Sequence, residues 1–184
     1  MPVYSLHALK NLDAATWDGL LSETQPFLRH AFLTSLEDSG SVGGRSGWQA
    51  AHQVLLDAEG QPLAALPAYV KHHSQGEYVF DHGWADACRR AGIGYYPKLL
   101  GAIPFSPVTG QRLLGSPEAA GQLLDGVTAT LEEQGLSSLH VNFTDADSDA
   151  LLQGRDGWLQ RLGCQFHWHN RGYRDFQDFL DTLS

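Results

Sequence analysis

Cysteine is nearly missing from this 184-residue chain, which holds only Cys88 and Cys164 and no Cys-x-x-Cys pair. That scarcity argues against a secreted disulfide framework and suits a reducing compartment, with both residues as thiols. Long apolar runs are missing too. No stretch of about 18 uninterrupted apolar residues occurs, and MPVYSLHALKNLD has no apolar segment behind a basic one, so neither a spanning helix nor a secretory leader is expected and the chain reads as cytoplasmic. Positive charge is scarce: 12 Lys and Arg stand against 21 Asp and Glu, a formal net charge of −9. A broad phosphate-binding surface is therefore disfavoured, and with it nucleic acid as a partner. Repeats, linkers and low-complexity segments are absent as well.

What is present is globular, with 42% hydrophobic and 18% charged residues. A chain of this length buries roughly 70% of the surface it exposes when unfolded, enough for a core without staples. Apolar spacing gives a strand at 4–8, a helix from Asp13 through Trp17 and Leu21, and a second helix over Phe27, Leu28, Ala31, Phe32 and Leu36. Residues 48–56 and 62–71 are apolar runs joined by Asp57-Ala58-Glu59-Gly60-Gln61, which predicts an antiparallel hairpin. A strand is expected at 77–81 and a short helix at 84–91. Pro97, Pro104 and Pro107 mark residues 95–109 as irregular and argue against a central strand. Ser116-Pro117-Glu118 opens a helix that stops near Gly135. Then follow a strand at 136–143, a broken helix over 149–162, a strand at 164–170 and a helix over 175–183. Alternation at Leu139, Val141 and Phe143 predicts the sheet on which the Pro117 helix packs. The whole reads as one mixed α/β domain, residues 1–184, with a mostly antiparallel central sheet flanked by helices.

This element order resembles the GNAT acyl-CoA-dependent N-acetyltransferase fold, as does Leu139-His140-Val141-Asn142 followed by the run from Trp158 to Phe166. Three further runs narrow the resemblance: Pro26-Phe27-Leu28-Arg29-His30-Ala31-Phe32-Leu33, Gly76-Glu77-Tyr78-Val79-Phe80-Asp81, and the proline-rich stretch from Tyr95-Tyr96-Pro97-Lys98 to Gly110. Together they look like a bacterial family of FemAB-like predicted N-acyltransferases. Members of that family carry a second GNAT-like half, so this chain is similar to the N-terminal half. The resemblance implies transfer of an acyl or aminoacyl group to an amine, connected with peptidoglycan precursors. The implied donor is an acyl-CoA or an aminoacyl-tRNA, and the implied acceptor is a small-molecule or peptide amine. A missing second domain or a homodimer would complete a groove between halves.

A pyrophosphate-bearing donor wants helix N-terminal amides, and Arg112, Gly115 and Ser116, just before the Pro117 helix, are the matching residues. They keep only an Arg-x-x-Gly fragment, and Pro117 removes one N–H. The acceptor site is expected around Asp81-His82-Gly83-Trp84 with Tyr95, Tyr96, Lys98 and Phe105. Asp81 or His82 would accept the amine's proton and Tyr96 would donate to the leaving group, while Lys98 would hold a substrate carboxylate or phosphate among the aromatics Trp84, Tyr95 and Phe105. A Lys98→Ala change would then weaken binding and leave stability nearly unchanged.

The chain has nine His residues. His167 and His169, two apart on a predicted strand, share a face, as do His140 and Asn142. Without His-x-Glu or Cys-x-x-Cys spacing, no metal is expected. Phe176, Phe179, Leu180 and Leu183 form an apolar stripe that predicts contact with a partner, most simply a second copy. Against the enzyme stands a non-catalytic half that binds a ligand or protein, inactive without a second domain.

Overall fold

The computed structural model describes residues 2–22 and 25–183. It divides into two compact units, Met1–Gln153 and Gly154–Ser184. Among its described residues the first holds eight strands: β1 (Val3–Leu6), β2 (Trp48–Ala50), β3 (His52–Leu56), β4 (Pro62–Leu66), β5 (Ala68–Lys71), β6 (Lys98–Gly101), β7 (Leu114–Gly115) and β8 (Leu139–Val141). Its helices are α1 (Ala14–Asp18), α2 (His30–Asp38), α3 (His82–Arg90), α4 (Pro117–Thr130) and α5 (Ala146–Leu152). The expected mixed α/β class is found, but the strands divide between two sheets instead of forming one. Their orders are β1-β3-β4-β7 and β2-β5-β6-β8, antiparallel throughout except for the β6–β8 pair.

The hairpin forms where the turn residues place it. Asp57 Oδ1 accepts the N–H groups of Glu59 and Gln61, and Gly60 takes φ +81°, so β3 and β4 pair from Gln53↔Leu66 to Leu55↔Ala64. Neither long run stays in one sheet. At Ala51 and at Pro67 the chain crosses over, and the same two runs pair again as β2 and β5. Proline suits the crossing because it has no N–H to leave unpaired, and its carbonyl accepts from Ala102 N–H. On the other run, His52 Nδ1 accepts the Ala68 N–H at 3.2 Å, so its ring proton sits on Nε2 and is donated to Glu37 Oε1 at 2.9 Å. Burial would raise the Glu37 pKa, but His52 and the Leu9 N–H outweigh it and hold the carboxyl below its usual value.

Helix α4 begins as its sequence dictates, with Ser116 Oγ accepting from Ala119 N–H and Pro117 at the first position. Its inner face, Ala120, Leu123, Leu124 and Val127, is buried on β3 and β4 and approaches β1, where Gly126 leaves room for Val3. This is the sheet opposite to the one expected, since Leu139 and Val141 belong to β8. The cause is connectivity: α4 leaves β7 after a single residue and lies back on the sheet that β7 edges.

Other expectations shift for local reasons. Residues 77–81 form no strand, because Tyr78 sits at φ +56° and Asp81 N–H bonds Val79 O, curling the segment into a turn. Residues 98–101 do form a strand, β6, paired on both sides, with Pro97 and Pro104 lying outside it. Helix α5 stops at Leu152. The second unit contains α6 (Phe176–Leu180) and a 3₁₀ turn, and residues 164–170 form no strand. There Trp168, Tyr173 and Phe179 pack together, while Phe176 and Leu183 are exposed.

Beside the α4 face, two further apolar clusters among the described residues fill parts of the first unit. One joins Trp17, Leu28, Leu33, Val54, Ile103 and Leu114, with Trp17 Nε1 donating to Leu28 O. The other joins Val42, Trp48, Ala50, Tyr69, Leu100 and Ala102 on one face of the second sheet. The candidate site lies at the end of that face.

Candidate functional site

Strand register builds the site's floor. Trp48 stands opposite Lys71, and Lys71 opposite Lys98, so an indole and two ammonium groups form one row across β2, β5 and β6. Both lysines are wholly buried. Like charges directly opposite each other destabilise a sheet, and buried ones more so. The chain between β5 and α3 answers this by folding back over the row with Ser74, Glu77 and Asp81, all buried.

The resulting network can be counted atom by atom. The three N–H groups of Lys98 go to Asp81 Oδ2 at 2.7 Å, Glu77 Oε2 at 2.9 Å and Ser74 Oγ at 3.0 Å. Ser74 donates its one hydrogen to Asp81 Oδ2 at 2.8 Å, so the 2.7 Å bond between Ser74 and Tyr96 has the Tyr96 hydroxyl as donor. Tyr95 donates to Asp81 Oδ2 at 2.8 Å. Both tyrosine rings flank the Lys98 ammonium, at 5.2 and 5.5 Å. Lysine and serine are saturated, yet one oxygen of each carboxylate is not. Glu77 Oε1 and Asp81 Oδ1 are buried and have no hydrogen-bond partner among the described residues.

The two carboxyls are pushed in opposite directions. Burial raises the Glu77 pKa, only partly offset by Lys98. Burial acts on Asp81 too, but the donors Lys98, Tyr95 and Ser74 outweigh it and hold that carboxyl below its usual value. Burial, then the neighbouring Asp81, raises Tyr95 and keeps it a donor. Burial lowers Lys71 to about 8. A pair of acids with separated affinities for a proton is the arrangement that acid–base chemistry uses.

Of the residues expected from sequence, Asp81, Tyr95, Tyr96 and Lys98 meet in this network. Lys98 faces no solvent and has no donor left for a substrate anion. Its removal leaves two carboxylates buried together, so Lys98→Ala costs about 3–5 kcal/mol, a correction to the near-neutral effect expected for a surface lysine. Trp84 is exposed in α3, and His82 is exposed at its first turn and makes none of the network's hydrogen bonds. Phe105 is 40% exposed, its ring 5.3 Å from Trp48. Glu77, Ser74 and Lys71 are additions that the sequence reading missed. Their signal is Lys71 and Glu77 standing with Asp81 and Lys98 in a stretch that also holds Tyr78, Phe80, Tyr95 and Tyr96.

The expected donor residues lie apart from this network and are engaged otherwise. Arg112 is buried and gives its guanidinium to main-chain carbonyls: Nε to Asn142 at 2.9 Å, Nη1 to Gln111 at 2.9 Å and Gly110 at 3.1 Å, and Nη2 to Val108. Burial lowers its pKa to about 10. Gly115 sits at φ +97°, where a Cβ would stand 2.3 Å from Leu63 O. Ser116 caps α4. Among the described residues no group of three or more His, Cys, Asp or Glu could hold a metal, and no helix is long and apolar enough to cross a membrane.

The model of the FemAB-like family, described as peptidoglycan biosynthesis/recognition, matches residues 8–184, nearly the whole chain. The chain belongs to the FemAB-like family. No curated protein and no solved structure matches it. In FemAB-like terms the matched span takes in both compact units. A cleft of about 290 Å³ in the first is lined by His7, Lys10, Glu37 and Gln49, and one of about 530 Å³ in the second by Trp168, Tyr173 and Phe179. Neither is lined by a residue of the Lys98 network.

Proposed function

We propose that this FemAB-like chain transfers an acyl or aminoacyl group to an amine of a peptidoglycan-type peptide, with the Lys98 network receiving the amine. The observation that carries the proposal is the pair of buried carboxylate oxygens, Glu77 Oε1 and Asp81 Oδ1, left without partners. An unmet buried acceptor is costly, and an amine is the donor that meets it. Lys98 holds both carboxylates, and Tyr95 and Ser74 hold Asp81 further, so the amine would be oriented at little further entropic cost. Glu77, its proton affinity raised by burial, suits the role of base. The amine nitrogen attacks the donor's thioester or ester carbonyl and the C–N bond forms. Its proton passes to Glu77, the C–S or C–O bond breaks, and the leaving thiol or hydroxyl takes up a proton. Asp81, held ionised, keeps Lys98 and Tyr95 in place.

A second reading, a binding half without turnover, is favoured by Arg112 and Ser116, whose donor and acceptor atoms are committed to the chain's own backbone. One assay separates the two. Acyl-CoA and charged-tRNA donors are incubated with an amine-bearing stem peptide, and free thiol or hydroxyl and acylated peptide are measured. Product that disappears in Glu77→Gln supports the enzyme. Peptide binding without product from any donor supports the binding half.

A further inference from the structure

The row beneath the acceptor site holds a second set of unmet groups. Lys71 Nζ bonds only Gln75 O among the described residues, at 3.1 Å, and otherwise lies 4.0 Å above the Trp48 ring. Two of its N–H groups have no oxygen partner. The Trp48 indole N–H is buried and unpartnered among the described residues as well. Lys71 stands one strand from Lys98 and Trp48 two, and Lys71 interacts through space with Glu77 without forming an ion pair with it among the described residues.

Beside these donors the chain carries a glycine where a side chain would collide with its neighbours. Gly76 lies at φ +77°, where a Cβ would stand 3.1 Å from Trp48 Nε1 and 2.9 Å from the Phe105 ring. Phe105 itself, at φ +57°, and Tyr78, at φ +56°, hold left-handed conformations that side-chain-bearing residues rarely adopt. Such strain gathers at ligand sites, and here one strained residue, Phe105, packs on Trp48 while the other, Tyr78, follows Glu77 directly in the chain.

We infer that the amine received at Glu77 belongs to an amino-carboxylate, a carbon bearing both an amine and a carboxylate, and that Lys71 and the Trp48 indole N–H receive the carboxylate. The inference rests on the acceptor-site reading and specifies its substrate class. A bare amine satisfies Glu77 Oε1 and leaves an ammonium and an indole N–H buried without an anion. A bare carboxylate does the reverse. Only a group carrying both signs close together completes the row, and an ammonium beside an N–H donor is a recurrent setting for a carboxylate.

The test is calorimetric titration of the full chain with two tripeptides, L-Ala-γ-D-Glu-meso-diaminopimelate and L-Ala-γ-D-Glu-L-Lys. They differ at the terminal amine by one carboxylate. We expect the first to bind at least tenfold more tightly. Trp48→Phe, which keeps an aromatic ring and removes the N–H, and Lys71→Met should each shrink that preference, the loss falling on the peptide that carries the extra carboxylate. Should Lys71→Met fail to fold, Trp48→Phe decides alone. Equal affinities in the unaltered chain, or a preference that both variants keep, overturn the inference and leave the acceptor site standing. Binding of neither peptide overturns both.

Discussion

Glu77 and Asp81 look equivalent in composition and are opposite in energetics. Asp81 is held below its usual pKa, so its ionised form stabilises the fold, and that contribution is lost as pH falls through the lowered value. Glu77 is raised, so the fold favours its protonated form and that contribution fades as pH climbs above about 4.5. Glu77→Gln, a neutral isostere, is therefore expected to cost about 1 kcal/mol or less at neutral pH, while abolishing transfer. Asp81→Asn should cost about 3 kcal/mol. Chemical denaturation beside the transfer assay checks both. Lys71 sets a different window. Its pKa is lowered to about 8, so between about 8 and 10 the unfolded chain binds more protons and stability rises with pH, by up to about 1.4 kcal/mol per unit. Above that window Tyr69 and Tyr95, both raised, turn the curve down, because the unfolded chain releases their protons first. Lys71→Met should abolish the rise in a series of thermal melts.

At the scale of elements, the β7–α4 junction carries a sharp test of the donor-site expectation. If Gly115 and Ser116 serve only the fold, their substitutions change stability in proportion to geometry. Ser116→Ala removes a cap and costs about 1 kcal/mol. Gly115→Ala forces a methyl toward Leu63 O at positive φ and costs about 2 kcal/mol or more. Donor KM should be unchanged in whichever variant remains folded, and a raised KM with unchanged melting would return these residues to the donor site. The same junction shows how far elements were legible. The Ser116 cap and the Asp57–Gln61 turn were readable because each acts through neighbours in sequence. The side on which α4 packs was not, since it depends on the single-residue link to β7. Nor was β6, where four apolar and basic residues between prolines gain strand pairing only from β5 and β8, distant in the chain.

For the molecule as a whole, class and mixed topology followed from apolar periodicity, and Asp81, Tyr95, Tyr96 and Lys98 were recognised as a group. Glu77 and Lys71 escaped because their meeting depends on cross-strand register and on a turn at Tyr78, a residue type that seldom adopts positive φ. The two crossing points, Ala51 and Pro67, have a dynamic consequence. Each polypeptide run serves one sheet with its first half and the other with its second, so the sheets share a hinge through which neither opens alone. Peeling β2 from β5 pulls on the bond from Ala68 N–H to His52 Nδ1, which ties the first residue of β5 to the first residue of β3. In native-state hydrogen–deuterium exchange, protected amides of β3–β4 and of β5–β6 should thus report a common opening free energy and respond together to added denaturant. Two separated classes, one for each sheet, would mean that the crossings act as flexible joints instead of as the stitch holding both layers in one cooperative unit.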